Sequence, residues 1–126
     1  MFIETKDMLR PKIYVINKRK VYDVDYVSFD DKYYGVTEKN GLCDEYNFDD
    51  VALMLNTGYK DKNGKYIYES DIVKNDVGKY TIRRSLAYKV FSLCNGSCYV
   101  ILDEDICKEI EVIGNIYENK ELLEDI

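Results

Sequence analysis

The chain reads as a mainly β protein made of small meanders and β-hairpins, on three observations. Asn40-Gly41, Asn63-Gly64 and Asn95-Gly96 each separate runs rich in apolar and aromatic residues, and Asn-Gly is the dipeptide that best tolerates the positive φ of a hairpin turn. Tyr22, Val24 and Tyr26 alternate with Asp23 and Asp25, the two-residue period of a half-buried strand. Thirteen tyrosines, no tryptophan and one proline supply amphipathic rings suited to strands with one wet face.

Taken in order, Lys12 to Asn17 is a short strand and Lys18-Arg19-Lys20 a charged turn leading into KVYDVDYVSF, read as one strand with its aspartates toward solvent. Asp30-Asp31-Lys32 turns the chain, Tyr33 to Thr37 returns it, and Asn40-Gly41 turns it again. Asp49-Asp50 before VALML either caps one helical turn or precedes a buried strand, and five apolar residues do not decide between them. Asp76 to Lys79 turns into a strand through Arg83. A longer run, Leu86 to Leu93, turns at Asn95-Gly96 into Cys98 to Leu102. Ile110 to Tyr117 alternates as a final strand, and Asn119 is placed to N-cap a short C-terminal helix whose early acids suit its positive end.

The stretch TGYKDKNGKYIYESDIV, Thr57 to Val73, has the lysines, glycines and aspartates of a phosphate or metal loop. A P-loop needs a serine or threonine after Gly-Lys to hold magnesium, where Tyr66 stands, and Asp61 begins no series of alternating oxygen ligands. The stretch is therefore a hairpin, with Gly58, Asn63 and Gly64 as turn residues. Asn95 and Gly96 have the same role further on.

At 126 residues the chain is long enough to bury a core without staples. Its four cysteines, Cys43, Cys94, Cys98 and Cys107, are read as reduced, small core residues, since nothing at the N-terminus resembles a secretion signal. Cys94 and Cys98 form the one close pair, but without histidine they complete no zinc site, and no metal or cofactor is expected. No apolar run reaches the ~20 residues of a membrane-spanning helix, so no membrane is expected as a partner.

Net charge is −6 and unevenly spread: residues 51–99 hold 8 basic and 4 acidic side chains, residues 100–126 hold 2 and 9. An acidic balance argues against nucleic acid as the partner, because phosphate neutralisation dominates such binding. The middle third keeps that class as the alternative. There Lys79, Tyr80, Arg83, Arg84, Tyr88 and Lys89 interleave cations with rings, as in small barrels that hold single strands or nucleotides, against the plainer reading of a solvated strand face. Catalysis is disfavoured, since the chain has no histidine and its carboxylate pairs, Asp23 with Asp25 and Asp103 with Asp105, read as solvated faces.

Two segments carry a resemblance. LMLNTGYKDKNGKYIYESDIV, Leu53 to Val73, and IEVIGNIYENKELLED near the C-terminus resemble the two hallmark blocks of the YopX family of phage and prophage proteins, and a Phe-Asp-Asp-Val element precedes the first. Asn56 stands where that family has Tyr, Lys120 where it has Pro, and Ser70 where it has Gly, which argues against a positive-φ turn at 70. The strands and turns of residues 1–52 read as a β meander; the resemblance implies a largely β fold with an SH3-type roll over 53–126, encoded by a temperate phage or integrated prophage, and the two parts are expected to pack as one compact unit. It implies no activity. The expectation that follows is a non-enzymatic accessory protein in the bacterial host cytoplasm. It would bind a host protein or small signalling ligand as a homo-oligomer, for instance to inhibit a defence system. Asp103, Glu104, Asp105 and the tail from Glu118 are the candidates for steering it toward a basic target.

Overall fold

The computed structural model describes residues 2–4, 9–85, 87, 90–96 and 98–124. Its strands are joined by turns at Gly41, Gly64 and Gly96, all at positive φ as the sequence marks; Gly58, also at positive φ, is not in a turn but within the strand Asn56–Lys60, where the pairing is irregular. The chain forms two compact units, residues 1–55 and 56–126.

The first unit contains β1 (Phe2–Glu4), β2 (Lys12–Val15), β3 (Lys20–Asp23), β4 (Tyr26–Ser28), β5 (Tyr33–Thr37), β6 (Cys43–Asn47) and β7 (Val51–Met54). They form two antiparallel sheets, ordered β1-β4-β5-β6 and β3-β2-β7. KVYDVDYVSF is therefore two strands in two sheets. At the break the Val24 amide donates to the Pro11 carbonyl (3.1 Å) and the Asp25 amide to that of Gly35 (2.8 Å), so the chain changes sheets without orphaning these donors. The alternation holds only up to the break, with Tyr22 and Val24 buried and Asp23 exposed; beyond it the phase is lost, Asp25 and Tyr26 being half-buried while Val27 enters the core beside buried Ser28. Asp25 is held, accepting from Thr37 Oγ1 at 2.6 Å and facing Arg10 at 3.6 Å. Ile13, Val15, Tyr22, Val24, Val27 and Val36 form the core. Of the two readings of the Asp49-Asp50 region the strand holds: Val51 begins a largely half-buried strand, while the two aspartates cap nothing and lie within a 3-10 turn at Phe48–Asp50 ahead of it.

The second unit contains β8 (Asn56–Lys60), β9 (Tyr66–Tyr68), β10 (Asp71–Lys74), β11 (Lys79–Ser85), β12 (Val90–Asn95), β13 (Cys98–Ile101), the single-turn helix α1 (Glu104–Cys107) and β14 (Glu111–Asn115). β8 and β9 are the hairpin around Asn63-Gly64. The other five strands make one antiparallel sheet, ordered β13-β12-β11-β10-β14. Ile67, Val73, Ile82, Leu93, Leu102, Cys107 and Ile110 pack as its core.

Three local readings are corrected. Ser70 does take positive φ (74°), because the turn from β9 into β10 is fixed on both sides: Ser70 donates to the Ile82 carbonyl, accepts from the Ile116 amide, and is followed by buried Asp71, whose carboxylate takes the Tyr68 amide at 2.7 Å. Asn119 does not cap the 3-10 turn at Lys120–Leu123. Its Oδ1 points back to accept from the Asn115 amide at 3.0 Å, over Gly114, where a Cβ would lie 2.5 Å from that oxygen. Of the four cysteines, all free, only Cys107 is buried; Cys94 is half-buried and Cys43 and Cys98 are exposed. Apart from Cys107, the interiors are filled by Ile, Val, Leu, Met and Tyr, and the other three thiols lie on strands outside the core.

Candidate functional site

Strand β11 carries most of the predicted basic stripe, and the pleat divides it. Successive side chains on a strand point to opposite faces, so Tyr80, Ile82 and Arg84 share one face and Lys79, Thr81 and Arg83 the other. Ile82 belongs to the core and Tyr80 packs against it. Arg84, on that face, pairs with Glu69 (Nε to Oε2 3.2 Å). Lys79 Nζ donates to the Leu122 carbonyl at 3.4 Å. Tyr88 and Lys89 lie outside the described residues. Arg83 is left exposed on the outer face, so the stripe is not one surface.

That outer face has a definite construction. The register sets Arg83 opposite Ser92 on β12, which lies opposite Ile101 on β13; Thr81, Cys94 and Tyr99 form the parallel row. Ser92, small and buried, floors a shallow open concavity of about 520 Å³ whose walls are Arg83, Ser85, Val90, Cys94, Tyr99 and Ile101. Burial raises the Cys94 thiol above its ordinary value, and the Arg83 charge acts the other way. The far wall is an edge. β13 ends the sheet, all four of its residues are exposed, and Tyr99, Val100 and Ile101 are 66%, 51% and 54% accessible.

The missed residues are therefore Val90, Ser92, Tyr99 and Ile101. An apolar run such as CYVIL signals a strand, and apolar runs are usually buried. What exposes this one is topology: β14 returns beside β10, at the opposite end of the sheet, and among the described residues no strand pairs with the outer side of β13. The register also separates Cys94 from Cys98. Cys98 is paired with Asn95 and adjoins Tyr99, so its side chain lies on the face opposite that of Cys94 and Tyr99, and the two thiols do not meet.

The acidic candidates are placed differently from one another. Asp103 is the N-cap of α1, its Oδ1 accepting from the Ile106 amide at 2.8 Å. Glu104 and Asp105 are exposed on the first turn, Glu104 within 3.9 Å of Lys108. In the tail, Glu118 accepts from Asn115 Nδ2 at 3.0 Å, and Glu121 and Glu124 are exposed. The turn residues have structural work. Asn56 Oδ1 accepts from the Gly58 amide at 2.8 Å. Buried Asp61 takes the Asn63 and Lys65 amides on Oδ1, both at 2.9 Å, and the Val112 amide on Oδ2 at 2.9 Å. Among the described residues no three of His, Cys, Asp or Glu gather to hold a metal, and no helix is long and apolar enough to cross a membrane.

These features define a small antiparallel β protein with an open sheet face walled by Arg83 and Tyr99 and, among the described residues, an edge strand, β13, that no further strand pairs. The chain belongs to the YopX protein family, whose sequence profile matches residues 12–124. Among solved structures it resembles yopX from Bacillus subtilis, with TM-score 0.54, 18% identity and 93% of this chain against 97% of that one. It also resembles EF1440 from Enterococcus faecalis, with TM-score 0.52, 22% identity and 91% against 97%. At such identity the likeness is one of fold. No curated protein matches the chain.

Proposed function

We propose that this YopX-family protein is a phage- or prophage-encoded accessory protein that acts without catalysis. It binds a component of the bacterial host from within the host cytoplasm, as a homo-oligomer, and its effect is to inhibit a defence system. The observation that carries the reading is the outer face of β11, β12 and β13. An exposed guanidinium, a small buried polar floor and three exposed apolar side chains on a sheet edge are the ingredients of a protein-binding surface, where aromatic and arginine anchors dominate. The nucleic-acid alternative loses its main support, because the predicted stripe is divided between two faces and Arg84 is paired with Glu69.

The test is a comparison of wild type with Arg83→Glu and with Tyr99→Asp as bait in host lysate, followed by reconstitution of any captured protein in pure form. The expected result is a host protein held by wild type with a Kd at least tenfold tighter than by either variant. Equal retention by all three, or turnover of a substrate by the purified protein alone, overturns the reading.

A further inference from the structure

We infer that β13 pairs with β13 of a second copy, antiparallel and centred on Val100, so that two five-stranded sheets join into one. This rests on the reading that the protein is a homo-oligomer and names the surface that makes it so.

The backbone fixes which groups are available. Asn95 and Cys98 flank a two-residue turn and are paired; Val100 is paired with Leu93, and the Leu102 amide donates to the Phe91 carbonyl at 2.9 Å. In an antiparallel ladder the residues that exchange hydrogen bonds alternate along the strand. Cys98, Val100 and Leu102 therefore turn their amides and carbonyls toward β12, while Tyr99 and Ile101 turn theirs outward. Because β13 is the last strand of its sheet, those outward groups have no ladder partner among the described residues. Such an edge templates another strand unless it is blunted, and Tyr99, Val100 and Ile101 include no charge, proline or bulge to blunt it.

A two-fold axis at Val100 satisfies the edge with its own copy. Tyr99 then faces the second copy's Ile101, and Ile101 the second copy's Tyr99, each pair exchanging both of its backbone hydrogen bonds. On one sheet face these are aromatic and β-branched neighbours, a favoured cross-strand combination; on the other, the two Val100 side chains meet. All three exposed apolar residues of the strand gain partners at once. A register centred on Tyr99 would set Ile101 opposite the turn, and one centred on Ile101 would set Tyr99 opposite Asp103, so Val100 is the centre that uses the whole strand. The pairing also completes the concavity: the second copy's Tyr99 lies beside Ile101 on its rim, and both copies present Arg83 on the same side of the joined sheet.

The contact is one short strand wide, so association is reversible and concentration-dependent. Sedimentation of wild type across the micromolar range should show a monomer–dimer equilibrium. Val100→Lys should weaken it at least tenfold, and Ile101→Pro, which removes an outward amide and leaves the β12 ladder intact, should do the same with the circular dichroism spectrum unchanged. Under mild oxidation Val100→Cys should form a covalent dimer, because facing residues of a non-hydrogen-bonded pair come within disulfide reach. Wild type should not form one through Cys98, whose two copies would stand four positions out of register, about 13 Å apart. A wild type that stays monomeric at high micromolar concentration overturns both the oligomer and this surface. A wild type that dimerises with Val100→Cys uncrosslinked and both other variants unaffected overturns the surface alone.

Discussion

Asp61 shows what a single carboxylate does in this fold. In sequence it sits among lysines and glycines, where phosphate or metal chemistry suggests itself; in the structure it is 5% exposed and accepts three backbone amides. Two of them are within the Asn63-Gly64 turn and were implicit in its Asx character. The third belongs to Val112, 51 residues away, and no local pattern announces it. Asp61→Ala leaves all three donors in need of a partner and should cost about 2–4 kcal/mol in denaturant unfolding. Asp61→Asn should recover only part of this, since an amide nitrogen would face an amide hydrogen at one of the two oxygens. Ser70 is the opposite case: its 74° φ is imposed by neighbours on both sides, against its own preference. Ser70→Gly should therefore stabilise, by about 0.5–1 kcal/mol, after allowing for the greater freedom glycine gives the unfolded chain. A lower melting temperature for Ser70→Gly would mean that the serine makes a compensating contact.

For whole elements, the hairpins were legible because their turns carry their own chemistry, and β5 runs from Tyr33 to Thr37 as read. Partners across sheets were less legible, for alternation says which face is buried and not which strand lies alongside. Hence KVYDVDYVSF divided between two sheets and lost its in-out phase at the break, where Val27 and not Tyr26 enters the core, and the basic run on β11 looked like a surface while the pleat sent alternate residues inward. α1 was missed outright, because DEDICK reads as an acidic patch until Asp103 is seen to accept from Ile106. Any charge-steering experiment must respect this. Asp103→Ala should lose about 1 kcal/mol of stability through the cap, whereas Glu104→Lys with Asp105→Lys should leave unfolding nearly unchanged and slow association with a basic partner. A large stability loss in the latter pair would count against their being solvated.

The molecule as a whole should be weakened by alkali. Burial pushes the Cys107 thiol up to about 11, helped by the nearby Asp103 charge. Burial, with hydrogen bonding to Tyr46 next, pushes the Tyr22 phenol up to about 12. Both groups hold their protons more tightly folded than unfolded, so their contribution is intact below the unfolded pKa values, about 8.5 for a thiol and 10 for a phenol, and is lost as pH rises through the folded ones. The melting temperature should fall from about pH 9 upward; Cys107→Ala should flatten the early part of that fall, and Tyr22→Phe the later part. An unaltered profile in both variants would place the alkaline loss elsewhere. The order of strands in the second sheet has a consequence for how the protein acquires its structure. β10 and β11, β11 and β12, and β12 and β13 are each neighbours in sequence, but β14 must find β10 across the whole meander. Hairpins of low sequence separation form early and distant pairings late. Until β14 docks, β10 takes its place as the edge strand and the amide of Val112 has not reached Asp61, so a chain caught at that stage offers as a template a strand whose Ile72 and Val73 are fully buried in the finished fold. Val112→Ala should accordingly accelerate unfolding while leaving the refolding rate nearly constant, and core substitutions in the β11–β12 hairpin should chiefly slow refolding.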